Sequence, residues 1–212
     1  LINVQHLRQQ MENIQGGIYE EEARQALLRS QIMGRIAAAR ESLQVLEDRR
    51  LATSSFVTQL SVRSTSSSSP ALLPEPGSDA YLERQRGSVI WPADGQVVRG
   101  FGIETHPEYG TETTSDGITV VTQPSQDIRS SAPGVVIYAR EFLDRGQMVV
   151  LDHQDGYFTV YGYLGQLAVS LGDQVDAGTL IGRSGPVPGG QPGYYFEVRK
   201  GGHPSDPEDY LE

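Results

Sequence analysis

The chain has 212 residues, a mass of 23.2 kDa, no cysteine and a formal charge of −10 at pH 7. The absence of cysteine excludes a disulfide framework and a thiolate metal site, and no stretch has the apolar length of a membrane span. The charge is unevenly placed: residues 1–63 hold eight Arg against seven Asp and Glu, while residues 64–212 hold nine basic against twenty acidic side chains. Such a surface disfavours nucleic acid as a partner; a basic protein face, or a wall polymer held by hydrogen bonds and stacking, fits it. No secretory leader is visible and Leu1 already lies inside a helical pattern, so the sequence reads as part of a longer, exported chain.

Val4, Leu7, Met11, Ile14 and Ile18 recur at alternating spacings of three and four, a heptad seam along one helix face. Gly16-Gly17 then interrupts the run, and Glu20-Glu21-Glu22 suits the first turn of a second helix that continues through Leu28, Ile32, Ile36, Ala39, Leu43 and Leu46. Such a stripe fits packing against the following domain; it fits better an antiparallel coiled-coil hairpin, cut short here, that serves as a docking arm. Residues 1–62 are therefore expected to be a helical arm. Residues 63–86 are expected to be a Ser/Pro-rich linker, with a short helix after Asp79.

After Trp91 the chain alternates runs of about five to eight strand-forming residues with Gly, Pro, Asp and Ser turns, which predicts an all-β domain over residues 87–212. The stretch DHQDGYFTVYGYL at 152–164 couples a turn to a strand whose alternation places Tyr157, Thr159, Tyr161 and Tyr163 on one face. SDGITVVT at 115–122 and GYYFEVRK at 193–200 answer it, with Tyr195, Glu197 and Arg199 on one face and Tyr194, Phe196 and Val198 turned to the core. A structural salt bridge or polar floor is the role expected of Glu197 and Arg199, ahead of ligand contact. LGDQVDAGTLIG also looks like the hairpin of a lipoyl carrier, but the only lysine, Lys200, is not at its tip.

In this order, behind WPADGQVVRGFG and before the closing HPSDPEDYL, these motifs resemble the LytM-type (lysostaphin-like) domain of bacterial cell-wall endopeptidases. In active members the resemblance implies zinc held by the His and Asp of an H-x-G-x-D run and by the second His of H-x-H. The first His of H-x-H and the His of a Y-x-H-L run assist water. Here those runs read Ser115-Asp116-Gly117-Ile118-Thr119, Gly193-Tyr194-Tyr195 and Tyr161-Gly162-Tyr163-Leu164. All five positions have lost their chemistry, and neither zinc nor any other cofactor is expected. None of the four histidines, His6, His106, His153 and His203, stands two residues from another His or along a strand from a carboxylate, whereas a catalytic zinc needs about three such ligands. Asp116 is expected to point away from the lost site, and the carboxylates around His153 are read as turn residues. Gly-Arg-Ser184-Gly is not a nucleophile elbow.

What remains is a groove expected to be lined by Ser115, Thr119, Tyr161, Tyr163, Tyr195 and Glu197, in which phenols replace imidazoles. Tyrosine joins a broad apolar face to a polar tip and suits partner binding; filling of a vacated metal cavity is the plainer alternative.

A heptad arm joined to a LytM domain without zinc ligands, with YFEVR at its end, most resembles EnvC-type murein hydrolase activators. That resemblance implies a periplasmic, non-catalytic protein that binds an N-acetylmuramoyl-L-alanine amidase through the groove and an FtsE-FtsX-type division complex through its coiled coil. A non-enzymatic peptidoglycan-binding or scaffold module is the second reading. The arm or linker is expected to cover the groove until the arm is engaged.

Overall fold

The computed structural model describes residues 2–66, 81–105 and 112–212. Most of the expected linker, 67–80, with Asp79, and the loop 106–111, with His106, lie outside the described residues.

A single helix, α1 (Ile2–Ser66), runs unbroken through Gly16 and Gly17. The expected hairpin does not form. Each glycine costs a helix interior only about 1 kcal/mol, which the good helix formers on both sides offset, and neither glycine takes the positive φ that a reversal would use. The first structural unit ends at Arg50. Within it the seam residues Val4, Met11, Ile14, Ile18, Leu28, Ile32, Ile36 and Leu46 are exposed.

The second unit begins at Leu51, earlier than the expected domain start at 87, because the last turns of α1 pack on the sheet. Val57 is fully buried, and with Phe56 and Leu60 it covers Tyr138, Met148, Val150 and Val160. Phe56 stacks on Phe142 at 4.5 Å and meets Tyr138 edge-on at 5.1 Å. Sequence periodicity alone had placed this segment in the arm, since a helix keeps its pattern whatever covers it.

After the short helix α2 (Tyr81–Arg84) come twelve strands: β1 (Gln96–Arg99), β2 (Gly102–Thr105), β3 (Glu112–Ser115), β4 (Ile118–Val121), β5 (Asp127–Arg129), β6 (Gly134–Glu141), β7 (Gln147–Asp152), β8 (Tyr157–Leu167), β9 (Gln174–Val175), β10 (Leu180–Pro186), β11 (Pro192–Lys200) and β12 (His203–Ser205). The main sheet is antiparallel, with β4, β11, β8, β7 and β6 adjacent in that order. Strand β1 flanks one side and β9 the other, and β10 joins the ends of β11 and β8. Strands β2 and β3 form a separate ribbon.

Alternation sorts the side chains. Ile118, Val120, Val149, Leu151, Tyr194, Phe196 and Val198 enter the principal core on one face, as the sequence alternation implies for the three on β11. Val150 and Val160 turn to the other face, where α1 lies. Burying that second face is what gives a half-exposed sheet two apolar sides and one stable register.

Candidate functional site

The site is built on the face of β11 opposite the core. Tyr195 stands directly across from Thr119 on β4 and Gly162 on β8, so these three share a face. Glu197 stands across from Val160. Gly117 lies so close to this strand that a Cβ there would come within 2.3 Å of the Phe196 carbonyl and 2.8 Å of the Glu197 Cβ, so only glycine fits. Ser115 ends β3 just before it, donating from Oγ to the Gly117 carbonyl at 2.6 Å.

Tyr163 reaches the same place by a different route. Its backbone is left-handed, φ 57°, next to a shift in register between β7 and β8. The local break turns the ring to 6.5 Å from Tyr195, edge to face. Tyr161, which simple alternation put beside Tyr163, is instead fully buried in the core, 5.2 Å from Phe196, with its hydroxyl accepting from the Ser131 amide at 3.0 Å. It is not a groove residue. The alternation was counted through a bulge, which reverses the face of everything beyond it.

Three buried polar side chains run along β11. The Tyr195 hydroxyl donates to Glu197 Oε2 at 2.9 Å, and Glu197 Oε1 accepts from Arg199. Arg199 spends its remaining donors on the Gly202 carbonyl (2.6 Å), Thr58 Oγ1 (3.0 Å) and Ser54 Oγ (3.2 Å). The expected structural salt bridge is therefore present, and it ties the floor of the groove to the last turns of α1. Burial raises the Glu197 carboxyl above its usual range, opposed by Arg199. Asp116, expected to point away, is buried and near enough to add to that rise. Burial, then Glu197, holds the Tyr195 phenol well above its ordinary value, so it stays protonated at neutral pH.

One site residue was missed by the sequence reading. Arg145, at the end of a single 3-10 turn (Leu143–Arg145) before β7, lays its guanidinium 4.0 Å over the Tyr195 ring and 5.6 Å from that of Tyr163. Burial acts to lower its proton affinity; the phenols of Tyr195 and Tyr163 and the Glu197 carboxylate outweigh this and leave it raised. A signal existed: counting back from the Asp155-Gly156 turn along the β7–β8 hairpin brings residue 145 to the neighbourhood of Tyr163. Nothing in its own neighbourhood, Leu-Asp-Arg-Gly, marks it.

The donor set does not fit zinc. Ser115, Thr119 and Tyr195 offer hydroxyls, the phenol is held protonated, and a guanidinium already lies against its ring, where it would repel a divalent ion. Among the described residues no three His, Asp or Glu side chains gather as metal ligands. His153 is elsewhere and structural: Nδ1 donates to the Pro133 carbonyl at 2.6 Å and Nε2 accepts from Thr159 Oγ1 at 2.7 Å.

The sheet order and the groove can be set beside known proteins. Residues 113–207 match the model of Peptidase family M23. The M23-like domain also resembles curated proteins. An uncharacterised protein of Neisseria meningitidis serogroup B is 33% identical over 135 residues, 64% of this chain and 22% of that protein. The murein hydrolase activator EnvC of Escherichia coli is 32% identical over 133 residues, 61% of this chain and 30% of EnvC. This chain thus spans less than a third of either relative's length. Among solved structures, a zinc-containing peptidase from Vibrio cholerae superposes on the M23-like domain with a TM-score of 0.50 at 28% identity, over 56% of this chain and 38% of that one. The architecture is one long helix followed by an antiparallel sheet domain of the M23 kind.

Proposed function

We propose that this protein is a non-catalytic activator of murein hydrolases, working outside the cytoplasm in the periplasm. Its M23-like groove binds an N-acetylmuramoyl-L-alanine amidase, and the exposed heptad stripe of α1 docks on a membrane division complex of the FtsE-FtsX type. The observation that carries the reading is the cluster of Arg145, Tyr195 and Tyr163. The positions that the LytM resemblance aligns with reactive residues hold Ser115, Thr119, Tyr163 and Tyr195, and a guanidinium lies against the two phenol rings. Tyr195, Ser115 and Thr119 are buried and brace the site from below, so the surface offered to a partner is the part-exposed Tyr163 ring and the Arg145 guanidinium held against it. A relative named for murein hydrolase activation supports the same assignment. No membrane-spanning helix is found among the described residues.

The experiment is release of dye from labelled sacculi by a purified amidase, with and without this protein. Stimulation of the amidase, with no release by the protein alone, is expected. Release by the protein alone would refute a non-catalytic role. Cosedimentation with sacculi without any effect on an amidase would favour a wall-binding module.

A further inference from the structure

The site carries a permanent positive charge on Arg145, which Glu197 attracts but, among the described residues, does not meet in a close ion pair. Of the two guanidiniums near Glu197, Arg199 takes the contact with the carboxylate and fills its other donors with Gly202, Thr58 and Ser54. Arg145 lies over the ring of Tyr195 and beside that of Tyr163, and among the described residues no carboxylate stands within ion-pair distance of it. Stacking on phenol faces, with one N–H shared with the Tyr195 hydroxyl, steadies the cation and leaves its other N–H donors for a ligand. Those donors form a planar fork, built to receive two oxygens of one carboxylate. A half-buried guanidinium is held in one place by its rings while the surrounding domain is acidic overall. Such a cation favours one well-placed acidic group and lets the rest of the surface repel others.

Resting on the activator reading, we propose that Arg145, braced from below by the buried Tyr195, is the specificity anchor of the site, receiving an aspartate or glutamate side chain of the amidase segment that lies across Tyr163. A fixed monovalent cation then stands against the side chain that the LytM resemblance aligns with a metal ligand. The part-exposed Tyr163 ring flanks the incoming carboxylate and shields it from water, which strengthens the pair. The contact is direct and needs no metal.

The test is affinity of purified amidase for the full chain carrying Arg145, Arg145→Lys or Arg145→Gln, at low and high salt, with a thermal melt of each variant. Affinity is expected to fall at least about tenfold for Arg145→Gln, with partial recovery for Arg145→Lys, which keeps the charge but not the fork. The Gln variant should also lose part of the salt dependence. Exchanging the partner acid for lysine should weaken the wild-type complex and be rescued by Arg145→Glu. Equal affinity of the Gln variant and wild type, or equal weakness of the Lys and Gln variants, would overturn the anchor while leaving the activator reading intact. A wild-type chain that binds no amidase would overturn both, as would loss of sacculus binding alone in Arg145→Gln.

Discussion

The Tyr195 hydroxyl donates to Glu197 at 2.9 Å, and the same carboxylate holds Arg199, which reaches Ser54 and Thr58 on α1. One buried ion pair thereby joins the ring that floors the groove to the helix that covers the sheet. A pair of this kind adds little over well-packed apolar residues, but breaking it strands a charge in a dry site.

Arg199→Met should therefore destabilise the second unit by about 3–5 kcal/mol, because Glu197 loses its cation while remaining fully buried. Combining it with Glu197→Gln should cost clearly less than the sum of the two single changes. A double-mutant cycle by denaturant unfolding measures the difference; strict additivity would mean that the two side chains act separately.

His153 gives a pH signature. Burial lowers its pKa from 6.5 to about 4, so the folded state keeps the ring neutral while the unfolded chain protonates it below about 6.5. Its contribution is complete above pH 6.5 and is lost as pH falls from there towards 4, reaching of order 3 kcal/mol. His153→Gln should flatten that part of the stability profile, measured by urea unfolding across pH 4–7.

The boundary at Leu51 predicts how the chain tolerates shortening. A chain starting at residue 51 should melt cooperatively, since Val57, Phe56 and Leu60 still cover Met148, Val150 and Val160. A chain starting at residue 81 uncovers that apolar face and should be less stable by several kcal/mol, on the order of 25 cal/mol per Å² exposed, with a tendency to associate. Circular dichroism melts and sedimentation of the two forms check this.

Placing a histidine at Gly193, where the LytM resemblance aligns the first His of H-x-H, should fail. A Cβ there would come within 2.2 Å of the Val120 carbonyl, inside the β4–β11 pairing. Gly193→His should lower the melting temperature by displacing β4, at a cost of about 1–3 kcal/mol or more, and should not confer zinc binding. A stable variant binding zinc at one equivalent in calorimetry would refute this.

The sequence showed the β domain because turn residues recur between short apolar runs, and it showed the core side of β11 because Tyr194, Phe196 and Val198 alternate cleanly. It misplaced Tyr161 because the left-handed backbone at Tyr163 is invisible to alternation. It read a hairpin at Gly16-Gly17 because a glycine pair is a turn signal only when something outside the helix rewards the turn. Arg145 stayed hidden because a lone arginine beside a glycine looks like any loop residue until the hairpin folds it over two rings.

The central claim is a cleft that recognises a protein and cuts nothing, and dye release from labelled sacculi tests it most directly. Amidase alone should be slow, amidase with this protein fast, and this protein alone silent, with or without added zinc. Zinc-dependent release by this protein in the absence of any amidase would contradict the account.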